Sequence, residues 1–315
     1  MAQDVYKHIK HNNIKTIFLV LLFPIILGVI MFALSCAFMS FDEALNLIYT
    51  AFPVIVCVCL IWTIISYSCG SNMMLGFAGA HELDEKSTEN KKVFKCVENV
   101  ALAAGLPTPR VYVIKDDSLN AFATGTSPDN ASVALTSGII NKLTPLELEA
   151  VIAHEMGHIK NRDVRLDVII ITCLGALTLL SDLIARTFIY SDNVKVSSND
   201  DKEQNSARAI LLVLWLSLIV FNFLFAPIIY FSLSRTREYA ADAESAHITR
   251  NPSALISALQ KISVDSRVES LDTCKLMGNI CIANPLDKKR MFAGIGETHP
   301  PVEKRIQRLK SMRGF

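Results

Sequence analysis

Uncharged apolar runs and polar, patterned blocks alternate along this chain. Residues 16–39 contain no charge and are long enough to cross a bilayer. Residues 44–80 are also free of charge, with a span expected over 47–67. A third apolar stretch covers 164–190. Its 168–181 portion is uninterrupted, and Asp182 and Arg186 then follow at i, i+4, where they can pair or reach toward the interface. Residues 209–233 form the last uncharged run, so about four transmembrane helices are expected.

The polar blocks carry shorter periodicities. Residues 91–104 read as a helix stopped by Gly105, Pro107 and Pro109. Residues 110–114, 121–124 and 132–136 read as short strands with turn residues between them. Thr144-Pro145-Leu146-Glu147 then combines a hydroxyl cap, a proline at the first helical position and a glutamate three residues after the cap, which is a capping box. Leu148, Val151, Ile152 and Ile159 follow at helical spacing. Asn251-Pro252 starts another helix, and Val302, Ile306, Leu309 and Met312 line one face of a last amphipathic one. The expected fold class is α+β, mainly helical, with a small β-sheet. The expected division is an N-terminal hairpin of two spans (1–80), a first soluble part (81–163), a second apolar hairpin (164–233) and a second soluble part (234–315).

Composition fits this division. At 51% hydrophobic residues and a mean hydropathy of +0.36, the chain is too apolar for an ordinary soluble protein. Lys7, Lys10 and Lys15 precede the first run, whereas the link after it, residues 40–43, carries only Asp42 and Glu43. That asymmetry places both termini and the 82–162 block in the cytoplasm of a multi-pass protein, and the polar segment 191–206 outside. The first run is too long for the apolar core of a cleaved signal, and Ala33-Leu34-Ser35-Cys36 is a poor lipoprotein box. A net charge of +1 gives no sign of nucleic-acid binding. The eight cysteines, scattered and without a C-x-x-C pair, read as small buried hydrophobes.

The chemistry concentrates at His154-Glu155-Met156-Gly157-His158. Histidines at i and i+4 stack on one helix face and can reach one metal ion, while Glu155 lies where it can take a proton from water on that ion without ligating it. Gly157, small and between the ligands, suits close backbone packing. A catalytic zinc takes three protein ligands. Position 164 is Val and Asn161 is no substitute, so a histidine soon after the motif does not supply the third. Glu238 does better: Asp242 is i+4 from it, placed to accept the free N–H of a ligating histidine, and Arg235 is one turn before it, placed to neutralise or orient the pair.

These features together resemble the membrane-bound M48 zinc metalloproteases, and among them the HtpX-type heat-shock proteases of bacteria. The resemblance covers most of the chain and rests on Asn120-Ala121-Phe122-Ala123-Thr124-Gly125, Leu135-Thr136-Ser137-Gly138, the 154–163 run ending Asn161-Arg162-Asp163, residues 234–242, and Thr298-His299-Pro300-Pro301. It implies one Zn2+ at His154, His158 and Glu238, with Glu155 as catalytic acid/base, in a zincin-like cytosolic domain. It also puts His299 near the site, as a candidate donor to the oxyanion. The partners implied are polypeptides, with the chain in the bilayer of a bacterial inner membrane; because His158 shortly precedes the third apolar run and Glu238 shortly follows the fourth, membrane proteins are the substrates expected first. By position and by resemblance, Asn120, Ala121 and Phe122 lie on the strand expected to pair with an extended substrate. Three rival readings fit less well: an inactive zinc-binding scaffold, a prenyl-protein protease with more spans, and a transporter.

Overall fold

The first two uncharged runs belong to long helices, α1 (Ala2–Phe38) and α2 (Phe41–Phe77), and α1 begins well before its run because no Gly or Pro interrupts residues 2–15. The computed structural model describes residues 2–84, 87–191, 210–224, 235–264, 281–282 and 300–312. After α2 come β1 (Ala80–Glu82), α3 (Thr88–Ala104), β2 (Arg110–Ile114), β3 (Ala121–Thr124), β4 (Ser132–Thr136), α4 (Ser137–Lys142), α5 (Pro145–Lys160) and α6 (Asp163–Ser191). The last elements are α7 (Ile210–Leu224), α8 (Arg235–Thr249), α9 (Pro252–Ile262) and α10 (Val302–Ser311).

Among the described residues, three helices are long and apolar enough to cross a membrane: Asn12–Phe38, Phe41–Phe77 and Asp163–Arg186. The ambiguous third run is therefore one of them. The expected fourth is described only over Ile210–Leu224, which is shorter than a crossing needs, and the rest of that run lies outside the described residues. The polar segment expected outside, 191–206, is described only at Ser191.

The chain forms two compact units. One comprises residues 14–65 and 172–229. Its helices meet through Phe23 and Phe221 edge to face at 4.7 Å, and through a hydrogen bond from Trp62 Nε1 to the Thr172 carbonyl at 3.1 Å. Ile17, Phe18, Leu21, Val29, Val54, Val58, Ile64 and Leu183 all point outward. Exposed apolar surface on that scale calls for a hydrocarbon surrounding.

The other unit (1–13, 66–171 and 230–315) holds the sheet. Its strand order is β1-β2-β4-β3, with β2 and β4 parallel and the outer pairings antiparallel. Side chains alternate across it as a two-residue repeat demands. Val111, Val133, Leu135, Ala121 and Ala123 face a core shared with α3, α5 and α9. Ile114, Ala134 and Phe122 face a second cluster with Met74, Leu75 and Val168.

Helix α5 runs through the larger core and is buried on nearly every side. Its start is fixed as the sequence indicates. Thr144 accepts from the Glu147 N–H, and Glu147 accepts from the Thr144 N–H at 2.8 Å. Glu147 also accepts from Ser257 at 2.6 Å and Lys261 at 2.7 Å, tying α5 to α9. Burial pushes the Glu147 carboxyl upward, but the bonds from Lys261, Ser257 and Thr144 outweigh it and hold the group at about 2. Because the folded value lies below the ordinary 4.5, the folded chain binds fewer protons, and this contribution is lost as pH falls from 4.5 toward 2. Glu147→Gln is expected to destabilise the protein by about 1–2 kcal/mol at neutral pH. Thermal midpoints in detergent should show the gap between variant and wild type closing through that acid window.

Candidate metal centre

Two-residue connection between α5 and α6 is possible only because Arg162 adopts a left-handed conformation (φ 58°). This turn carries Asp163 back toward His158, whose Nδ1 lies 3.0 Å from Asp163 Oδ2. One turn earlier on α5, His154 Nδ1 lies 3.1 Å from Asp242 Oδ1 on α8. Each imidazole thus gives its Nδ1 proton to a buried carboxylate, which leaves Nε2 as the lone-pair nitrogen. Both Nε2 atoms turn toward Glu238, at 3.8 Å from Oε2 for His154 and 3.5 Å from Oε1 for His158.

Helix α8 reaches this position because Gly157 faces it. A Cβ at Gly157 would lie 3.1 Å from Ala241 Cα and 3.3 Å from Glu244 Cβ, so the helices approach backbone to backbone. Ser245 seals the contact by donating to the Ala150 carbonyl at 2.6 Å, and Lys160 pairs with Glu244.

Ligand atoms of His154, His158 and Glu238 all lie within 4.8 Å of one another. Around a tetrahedral zinc, atoms at 2.0–2.1 Å from the metal are separated by about 3.4 Å. Small side-chain adjustments bring the three atoms to that spacing, and two nitrogens with one carboxylate form a donor set zinc accepts. Charge favours a cation too. Glu155, Asp163, Asp167, Glu238 and Asp242 are all buried here, and among the described residues two guanidiniums, those of Arg237 and Arg305, stand against them.

Glu155 is adjacent and nearly inaccessible. Burial, reinforced by the charge of Glu238 and opposed by that of His158, raises its carboxyl to about 7. Burial lowers His154 below the ordinary imidazole value despite Asp242, so it remains neutral, as a ligand must. At His158 burial acts the same way, but the Asp163 hydrogen bond and the charges of Glu238, Asp163 and Glu155 prevail and raise it to about 9 without a metal. A bound cation takes the place of that proton.

Arg235 is expected to neutralise or orient Glu238 and Asp242, and its side chain lies outside the described residues. Arg305, from α10, does so: Nε and Nη2 donate to the two Asp242 oxygens at 2.9 and 2.7 Å, and Nη1 is 3.4 Å from Glu238. Its Nη2 is nearly equidistant from the two His154 nitrogens (3.4 and 3.5 Å), so it lies against the ring rather than in line with a lone pair. Arg237 makes a fork to Asp167 at 3.1 and 2.6 Å and reaches Asp163 at 3.3 Å. Arg305 had a signal in the sequence, since it lies three residues after Val302 and four before Leu309, a charge on the apolar stripe of its helix.

Strand β3 is the terminal strand of the sheet among the described residues, with α5 against it. Asn120 and Ala121 are buried, and the Ala121 carbonyl accepts from the Ile282 N–H at 2.9 Å. The Phe122 ring packs into the cluster on the other face, so β3 offers this side backbone, not that ring. His299 lies outside the described residues.

Residues 87–313 match Peptidase family M48. Over 321 residues the chain is 35% identical to a "Protease HtpX homolog" of Bacteroides fragilis, covering 96% of each. It is 37% identical over 311 residues to one from Listeria monocytogenes, covering 98% of this chain and all of that one. The crystal structure of S. mikatae Ste24p is a more distant likeness, at a TM-score of 0.45 and 18% identity, covering 96% of this chain and 67% of that one. The chain belongs to Peptidase family M48.

Gly157→Leu should force α8 away from α5. A loss of about 1–3 kcal/mol in stability, read from thermal unfolding, and a fall in bound zinc, read by metal analysis, are the expected results.

Proposed function

We propose that the chain is a membrane-bound zinc endopeptidase that cuts membrane or misfolded proteins at the cytosolic surface of the inner membrane, as a quality-control enzyme. The observation that carries the reading is the placement of Glu155, buried beside three groups whose ligand atoms converge. His154, His158 and Glu238 would hold the ion. When bound, it supplies a Lewis acid for the scissile carbonyl and lowers the pKa of water.

The chain's own residues account for the remainder. Glu155 takes a proton from the attacking water and returns it to the leaving amine, so no covalent intermediate with the protein is needed. Asp163 and Asp242 hold the two imidazoles in one tautomer. Strand β3, with Asn120 just before it, aligns an extended substrate by backbone pairing beyond the Ala121 carbonyl, which the Ile282 N–H already occupies.

Position along the chain supports a membrane-proximal substrate. His158 precedes the start of an apolar helix, Asp163–Arg186, by five residues. Five residues span no more than about 18 Å even when fully extended, which keeps the ion close to the start of that helix. The four-part division of the sequence, with soluble parts at 81–163 and 234–315 joined into one catalytic domain, belongs to the same reading.

Two experiments test it. Glu155→Gln should retain zinc and lose cleavage, whereas His154→Ala should lose both, measured by metal analysis and by an o-phenanthroline-sensitive protease assay. A Glu155→Gln protein that still cleaves overturns the mechanism. In detergent-free vesicles, a membrane-embedded test protein should be cut faster than soluble casein, and equal turnover would refute the substrate class.

A further inference from the structure

The carboxylate behind His158 is held from the far end of the chain. Asn12, on the first turns of α1, is buried and donates from Nδ2 to Asp163 Oδ1 at 2.7 Å and to the Asn161 carbonyl at 3.2 Å. Both partners are acceptors, so only the NH2 end of the amide fits there. Its neighbour Asn13 accepts from Arg165 Nη1 at 3.2 Å, and Arg165 Nε donates to the Thr126 carbonyl at 2.8 Å. Two consecutive asparagines therefore fasten the N-terminal segment to the α5–α6 turn.

We propose that Asn12 is a positioning residue for the metal, acting through Asp163 on His158. The inference rests on the zinc reading above. Asp163 uses Oδ2 for His158 and Oδ1 for Asn12, with Arg237 Nε near the same Oδ1 at 3.3 Å. Without Asn12 the carboxylate retains, among the described residues, the arginine on that side and can rotate toward it. The His158 ring then loses the acceptor that fixes its tautomer and its direction. Outer partners of this kind commonly govern metal affinity by 10–100-fold. Leucine at position 12 keeps the branching and the heavy-atom count of asparagine and removes both donors. Aspartate sets a second negative charge against Asp163.

The full-length protein, purified in detergent, permits the comparison. Zinc affinity would be measured by competition with a chromophoric chelator for wild type, Asn12→Leu and Asn12→Asp, alongside thermal midpoints of the metal-free proteins. The expected result is zinc binding weaker by about tenfold for Asn12→Leu and by more for Asn12→Asp, with the metal-free midpoint close to wild type. Unchanged affinity, or a metal-free midpoint that drops as far as that of the zinc-loaded protein, reduces Asn12 to a structural clip and overturns the proposal. Should Asn12→Leu fail to accumulate, Asn12→Ser, whose hydroxyl cannot bridge both acceptors, serves in its place under the same criteria. Wild-type protein that takes up no zinc removes the catalytic reading and this inference together, whereas wild type and variants that bind equally remove this inference alone.

Discussion

Helices α5 and α8 meet where Gly157 faces Ala241, and a side chain larger than a methyl on the α5 side of that contact would push them apart. Helices usually pack with axes 8–10 Å apart, depending on the side chains between them. A glycine at the crossing shortens that distance, and the carboxylate of Glu238 gains the reach needed to stand between two histidines on the opposite helix. The pairing is sustained by groups beyond the ligands: the Ser245 hydroxyl on the Ala150 carbonyl, and the ion pair of Lys160 with Glu244. These bonds do no chemistry. They fix the relative height of two helices whose metal-facing residues come from segments eighty positions apart in the chain.

Close approach concentrates charge, and charge inside a protein is costly unless compensated. Asp242 and Asp163 meet that requirement in the same way: each has an imidazole on one side and an arginine on the other. A hydrophobic replacement of such buried pairs is often neutral or stabilising in other proteins. Their presence here therefore needs a reason other than stability. Orientation is that reason, because an imidazole with a fixed Nδ1 partner can present only Nε2, and in only one direction. The remaining imbalance of negative charge is what a divalent cation would correct.

Much of this was legible in the sequence because it is local. The three predicted strands coincide with β2, β3 and β4, and the capping box at Thr144 is formed as read. The i, i+4 spacing that selected His154 with His158, and Glu238 with Asp242, is a property of one helix at a time and survives folding. What escaped is long-range. Strand β1 is three residues long and carries no alternation to detect, and the parallel pairing of β2 with β4 depends on a connection that no local pattern specifies. Arg235 could be read beside the acids because it shares a helix with them, whereas Arg305, which contacts Asp242, comes from a helix more than sixty residues later. Asp163 lay within the run that carried the family resemblance, yet its partnership with His158 depends on a left-handed turn at Arg162, a conformation that arginine does not advertise.

The groups converging on the two histidines come from residues 12, 163, 237, 238, 242 and 305, nearly the full length of the chain. A metal bound by such a set also constrains the elements carrying it, because ion binding that needs the folded arrangement adds its free energy to folding. Stability without the ion must then come from the apolar core around α5 and from pairs such as Glu147 with Lys261, which lie at the other end of that helix. Helix α5 is thus anchored at its start by a bond network that owes nothing to metal, and its last turn presents ligands whose carboxylate partners are recruited from elsewhere. That separation allows the ligand end to be arranged for orientation, with close-set charges, while the opposite end and the core supply the stability such an arrangement lacks.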